Sequence, residues 1–309
     1  MGIASRRRPV SGREARVPAF AKLNLGLRVL FKRPDGFHEL RSVFQTISLA
    51  DEIGIRFRRS RRTEIRMSGN VEIEDNLIVR AARLCLEEMK ISAAIDFELD
   101  KRIPMGAGLG GGSSDAAAVL LALPALARKA IAPERLLSLA TQLGSDVPFF
   151  LLGGTVAVAG RGEELYPLEN LYRRHVVLVS PDVHVSTAEA YRALSRGLTP
   201  ESVAPKLATF HAGLSTGGIA RAANDFEAVV FKQYPKLKRI RNRLLRAGAD
   251  MALMTGSGSS VFGLFASTGK MEAASVIFPG ERVFRVRFIT RAAYRAVWRK
   301  RLGYFQDNG

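Results

Sequence analysis

The chain has 309 residues, 47% of them hydrophobic, enough for one large or two ordinary domains with real cores. No apolar run nears the roughly 20 residues of a membrane span, and no apolar signal segment follows the basic start, which Pro9 and Pro18 interrupt. A net charge of +18 reads first as a solvated basic face, while one cysteine and four histidines offer no internal disulfide and no zinc pattern.

In chain order, residues 1–16 read as a disordered basic extension. From 20 to 30 the pattern alternates, with Ala21, Leu23, Leu25 and Leu27 on one side and Lys22, Asn24 and Arg28 on the other, which predicts a strand. Pro34-Asp35-Gly36 is a turn, and 41–49 and 51–58 read as two further strands. A helix over 77–89 carries Cys85, read as a buried small hydrophobe in a reducing compartment, and a strand over 94–100 follows.

That strand leads into Pro104-Met105-Gly106-Ala107-Gly108-Leu109-Gly110-Gly111-Gly112-Ser113-Ser114-Asp115, the most informative segment of the chain. Five glycines within seven residues let the backbone take positive φ and approach a ligand closely. Ser113, Ser114 and Asp115 read as the cap of an Ala/Leu-rich helix running to about 127, with Pro124 kinking or ending it. Free N–H groups that feed the positive end of a helix are suited to phosphate. Gly106, Gly108 and Gly111 also spell a dinucleotide fingerprint. The acid about 20 positions on, Glu134, follows Pro133 at a helix start instead of ending a strand, so that reading fails. The P-loop Gly-Lys-Ser/Thr and the protein-kinase His-Arg-Asp and Asp-Phe-Gly are absent.

A helix over 133–143 precedes a loop holding Asp146, where Pro148 bars the helix from continuing toward an apolar strand. A strand over 155–160 and a polar connection over 163–174 lead to a domain boundary at 172, dividing the chain into 1–172 and 173–309. The second part reads as a strand over 176–179, a helix around Tyr191 and a long helix from 224 to 247. Strands over 251–254 and 260–265 follow, joined by a Gly/Ser turn, then a helix near Met271 and a strand over 282–286. This order predicts an α+β layer of antiparallel sheet covered by helices, with a site between the lobes.

The segment from Pro104 resembles the phosphate loop of the GHMP kinase superfamily, Pro-x-x-x-Gly-Leu-x-Ser-Ser. Phe20-Ala21-Lys22-Leu23-Asn24-Leu25 resembles its N-terminal motif, with Phe20 where proline is usual. Gly144-Ser145-Asp146-Val147-Pro148 resembles its catalytic-aspartate segment, and Thr255-Gly256-Ser257-Gly258-Ser259-Ser260 its third motif. Arg33-Pro34-Asp35-Gly36-Phe37-His38 and Glu74-Asp75-Asn76-Leu77 are similar to the branch acting on a cytidine diphosphate conjugate of methylerythritol, with Phe37 replacing the usual tyrosine.

The resemblance implies a two-lobed fold, an N-terminal lobe like ribosomal S5 domain 2 and a ferredoxin-like C-terminal lobe. It implies a cytoplasmic enzyme of isoprenoid precursor synthesis that transfers phosphate from ATP, with Mg²⁺, to the 2-hydroxyl of that conjugate. Lys22 and Asp146 are then catalytic. Residues 104–114 bind the ATP phosphates, and Asn76, Leu77 and Lys101 border its adenine. Asn24, Phe37, His38, Tyr191, Gly256, Ser257 and Gly258 meet the second substrate, with the aromatics stacking on the base. No Mg²⁺ ligand is assigned. Plainer readings remain for each: a lysine on a wet strand face, a capping Asp146, a hairpin turn at 255–260, a helix cap at Asp75 or Asn76. Two rival functions also remain open at this point. One is a GHMP kinase for mevalonate, homoserine or a sugar; the other is a basic RNA-binding protein.

Overall fold

The computed structural model describes residues 12–171, 175–195 and 222–302. The boundary expected at 172 and residues 1–11 of the expected extension lie outside these. Residues 13–16 are not extension: they open strand β1 (Arg13–Lys32) and pair with residues 54–57. Val17 is fully buried and Arg16 meets Glu52 and Glu98, so strand pairing outweighs the basic composition there.

β1 turns at Pro34-Asp35-Gly36 into β2 (His38–Arg59), one continuous strand where the sequence predicts two. β2 stays whole because β1 pairs along almost its full length, while its two halves serve different neighbours. Residues 52–59 pair with β4 (Ala93–Asp100) and residues 42–45 with β5 (Thr155–Ala159). β3 (Glu64–Gly69), which the sequence reading missed, lies parallel to β4, and β6 (Glu164–Pro167) completes a six-stranded sheet beside β5.

Helices α1 (Leu77–Glu88), α2 (Gly111–Ala127), α3 (Pro133–Leu143) and α4 (Val147–Leu152) cover this sheet. α2 is apolar nearly all round because it is the buried central helix. Pro124 is accommodated within its last turn. α4 replaces the expected loop-to-strand passage: Pro148 ends nothing there, but sits in the first turn of a new helix, where its missing N–H costs little. Cys85 is sealed in this core, and burial pushes its thiol up to about 12.

A second, antiparallel sheet has the order β10-β7-β9-β8, formed by β7 (His175–Ser180), β8 (Met251–Met254), β9 (Val261–Phe265) and β10 (Arg282–Arg287). β7 shows the strand period directly. Val176 and Leu178 pack toward Ala21, Leu23 and Leu25 of β1, joining the lobes, while Val177 and Val179 pack beneath helices. Those helices are α5 (Thr187–Ser195), α6 (Glu227–Gln233), α7 (Pro235–Arg246) and α8 (Thr268–Ser275). The long helix expected over 224–247 is thus two, broken at Tyr234 because proline follows. Finally α9 (Arg291–Leu302) returns to the first lobe, burying Tyr294 and Trp298 in its core. Among the described residues no helix is long and apolar enough to cross a membrane.

Candidate active site

The glycine loop sits in the structure as the spacing demands. Gly106, Gly108 and Gly110 all have positive φ, whereas the intervening Ala107 and Leu109 are buried and anchor the loop. The serines do not cap α2. Gly110, left-handed at φ 69°, turns the chain into the helix directly, so Ser113 and Ser114 lie inside its first turn. Ser114 is buried and its hydroxyl has no partner among the described residues, an open polar group just inside the helix start.

Asp115 is not a cap either. It faces Lys101, whose Nζ is 2.6 Å from Asp115 Oδ2 and 2.6 Å from Asp51 Oδ2, all three side chains being buried. Asp51 Oδ1 accepts the N–H groups of Arg102 and Ile103 at 2.6 and 2.8 Å, fixing the chain where it enters the loop. Burial works against the Lys101 charge, but the two carboxylates more than offset it and raise its pKa. Burial pushes the Asp115 carboxyl up to about 7, with Lys101 pulling the other way. Lys101 therefore commits its ammonium to bracing the loop from beneath. A Cβ on Gly111 would lie 3.0 Å from Lys101 Nζ, and one on Gly112 would lie 3.6 Å from Leu77. Asn76 is the N-cap of α1, its side chain accepting the Ile78 N–H. Asn76, Leu77 and Lys101 thus cluster around the start of α2.

Lys22 and Asn24 share a face of β1, as their spacing requires, but that face is dry: they are only 4% and 1% exposed. Lys22 Nζ donates to Asn24 Oδ1 at 2.6 Å, lies 4.4 Å from the centre of the Phe44 ring, and stands 3.5 Å from Asp146 Oδ2. Asp146 comes from the residue just before α4 and is the more open partner. Asn24 is itself fixed, its Nδ2 donating to Ser42, which donates to Gly26 O.

The loop at 255–260 joins β8 to β9, as predicted, and crosses to the first lobe. Thr255 Oγ1 accepts the Asn24 N–H at 3.0 Å, and its one hydroxyl proton has Asn24 Oδ1 and Gly108 O as alternative acceptors, both at 3.2 Å. Asn224 Nδ2 donates to Met254 O and Gly256 O, and Glu227 accepts the Met254 N–H, so the loop is held from behind as well. Thr255 and Asn224 escaped the site prediction. The only signal available was Thr255's position at the head of the Gly/Ser turn.

One cavity of about 860 Å³ unites ten of the predicted residues. Lys22, Asn24, Gly108, Gly110, Asp146, Gly256 and Ser257 line one part of it, and Phe37, His38 and Tyr191 another. Of residues 104–114 only Gly108 and Gly110 line it, and Asn76, Leu77, Lys101 and Gly258 do not. His38 stacks on Tyr191 at 4.8 Å, and Tyr191 meets Phe226 edge-on at 4.8 Å. Burial, then the charge of Lys32, lowers the His38 pKa; burial, then the charge of Asp146, pushes the Tyr191 hydroxyl up to about 12. Phe37 is half exposed with the Arg161 guanidinium 4.8 Å above its ring. Chemically, the cavity offers an acid–ammonium pair beside two glycines of the loop, and an aromatic arm of Phe37, His38 and Tyr191.

Residues 76–154 match the family GHMP kinases N terminal domain, and residues 210–279 match GHMP kinases C terminal. The 4-diphosphocytidyl-2-C-methyl-D-erythritol kinase of Solibacter usitatus is 52% identical, over 93% of both chains. That of Pelotomaculum thermopropionicum is 43% identical over 83% of this chain and 90% of its own. A crystal structure of 4-(cytidine 5'-diphospho)-2C-methyl-D-erythritol kinase superposes with a TM-score of 0.76 at 38% identity, covering 88% of this chain and 98% of that one. Homoserine kinase from Cytophaga hutchinsonii, at 20% identity and a TM-score of 0.72, shares the fold over 95% of this chain and 98% of its own.

Proposed function

This chain belongs to the 4-diphosphocytidyl-2-C-methyl-D-erythritol kinases, a branch of the GHMP kinases, and from that membership we propose how its cleft works. The enzyme transfers phosphate from ATP to the 2-hydroxyl of 4-diphosphocytidyl-2-C-methyl-D-erythritol, giving the 2-phosphate and ADP. The triphosphate lies along the main chain of residues 104–114, and the alcohol reaches the pair Lys22–Asp146. Asp146 accepts the hydroxyl proton as the new O–P bond forms and the bond from the γ-phosphorus to the bridging oxygen breaks. Lys22, held by Asn24, orients Asp146 and offsets the negative charge that gathers on the transferring group. The cytosine lies in the arm of Phe37, His38 and Tyr191, where aromatic faces suit a base.

Mg²⁺ bound together with ATP would supply charge neutralisation to the phosphates. The unpartnered Ser114 hydroxyl fits a place beside it, and no group of three carboxylate, histidine or cysteine side chains that could hold an ion occurs among the described residues. The single, buried Cys85 accords with work in the reducing cytoplasm.

The observation that carries this reading is the Lys22–Asp146 contact in the same cavity as the aromatic arm and the glycine loop. The test is ADP release with ATP and, in turn, the cytidyl alcohol, mevalonate and homoserine. Turnover is expected with the cytidyl alcohol alone; release that ignores the acceptor, or prefers another, overturns the reading.

A further inference from the structure

Among the described residues, the charged side chains on the cavity wall are Lys22, Lys32, Arg161, Arg192 and Asp146, with one carboxylate among them. Lys22 and Asp146 face each other, so the remaining charge on the wall is positive. Arg192 has Glu189 at 4.0 Å and stays largely exposed. Lys32, at the end of β1 and exposed, has no ion-pair partner among the described residues. Arg161 is the more built of the three. Its Nε lies 3.3 Å from Glu163 Oε1, its own main-chain N–H donates to the same carboxylate at 2.7 Å, and its guanidinium lies over Phe37. Its two terminal nitrogens have no hydrogen-bond partner among the described residues, which leaves the guanidinium's broad edge for an acceptor. The next residue, Gly162, takes φ +122°, and a Cβ there would come within 3.8 Å of Asp146 Oδ1. Arg161 therefore sits between the base arm and the reacting end.

We propose that Lys32 and Arg161 form a diphosphate subsite, gripping the two phosphates that link the cytidine to the methylerythritol of the second substrate. This rests on the function proposed above. Phe37 serves the subsite as a platform: its ring fixes the guanidinium plane, a role that the ring face fills without a phenolic hydroxyl. A planar fork pre-set against a ring presents two donors to a phosphate at little further ordering cost. The subsite makes the linker, and not only the base, a determinant of which alcohol is accepted.

Competition against the cytidyl substrate by cytidine, cytidine monophosphate and cytidine diphosphate tests it. In the wild type, inhibition should strengthen in that order, the diphosphate binding at least about tenfold tighter than the nucleoside, as one charge-assisted contact affords. Arg161→Gln and Lys32→Met should each flatten this ladder, Arg161→Lys should restore part of it, and the KM for ATP should stay at its wild-type value throughout. Lys32 is exposed, so its variant keeps the test open if Arg161→Gln folds poorly. A ladder in both variants as steep as in the wild type overturns the subsite while leaving the kinase reading intact. A wild type that neither turns over the cytidyl substrate nor binds any of the three cytidine compounds overturns both.

Discussion

Replacing Gly108 with alanine probes the contact on which the two-lobed site depends. A Cβ at Gly108 would lie 2.1 Å from Thr255 O and 3.1 Å from Gly258 O, both main-chain atoms of the second lobe's loop. Backbone cannot swing aside as a flexible side chain can, so the loops must part by about 1 Å, and misplacements of that size cost roughly 10² in rate. The residue also has φ +76°, a strain of about 1–2 kcal/mol for alanine, to which overpacking adds about 1–3 kcal/mol. Gly248 is the matched control: φ is +88°, yet nothing lies within 4 Å of its Cβ position, so Gly248→Ala carries the strain alone. Thermal melting should fall by about 2–8 °C in Gly248→Ala and by several degrees more in Gly108→Ala. Steady-state kinetics should show kcat/KM near wild type in the control and down by roughly 10² in Gly108→Ala. Equal melting shifts and equal kcat/KM in the two variants would refute the close approach of the two loops.

Asp146→Asn keeps the size of the side chain but removes the proton acceptor, so kcat should drop by about 10²–10⁴ while ATP binding, followed by fluorescence titration, stays near wild type. Substantial residual turnover would take the acceptor role away from Asp146. The buried acid pair under the loop gives a pH signature. The Asp115 carboxyl, about 7 when folded against an ordinary value of 3.8, makes the folded state hold a proton that the unfolded state has lost. Its contribution to stability is therefore present at low pH and lost as pH rises toward 7, levelling off above it. Melting curves of wild type and Asp115→Asn between pH 4.5 and 8 should diverge along that window; parallel curves would show that Asp115 is ionised in the folded protein throughout.

The parts of this molecule legible in the sequence are those whose signal is local. Alternation revealed β1, the glycine spacing revealed the loop, and a Pro-containing turn located the β1–β2 reversal. Misreadings arose where a distant partner decides the local structure. β2 reads as two strands because Leu49-Ala50 breaks its pattern, yet β1 holds it in one piece. Residues 13–16 look like tail by charge alone, and it is their pairing with residues 54–57 of the neighbouring strand that makes them strand. α9 was missed because its arginines dominate its composition, while Tyr294 and Trp298, four apart on one face, do the packing. At the site, Lys22 looked wet by spacing; its burial comes from Phe44, Asn24 and a loop 231 residues further along the chain from Asn24. Asn224, Lys32 and Arg161 carry no motif of their own, and Thr255 is marked only by heading the Gly/Ser turn.

The two halves of the acid–ammonium pair are fixed by different parts of the chain. Lys22 is tied to the glycine loop through its own N–H, which donates to Leu109 O at 3.0 Å. β1 continues into the second lobe's frame, where Leu27 exchanges main-chain hydrogen bonds with Ala223 and Asp225 at 2.9 and 3.0 Å. Asp146 stands outside that unit at the head of α4, and α4 is braced from the far end of the sequence, Tyr294 donating its hydroxyl to Phe150 O. A Cβ on Gly153, just past α4, would strike the Tyr294 ring at 2.5 Å, so the brace is close along its length. The 3.5 Å separation of Lys22 from Asp146 is thus set by two independent supports, the glycine loop on one side and α9 on the other. α9 consequently helps to hold the proposed acid–ammonium pair in place, although none of its residues lines the cleft.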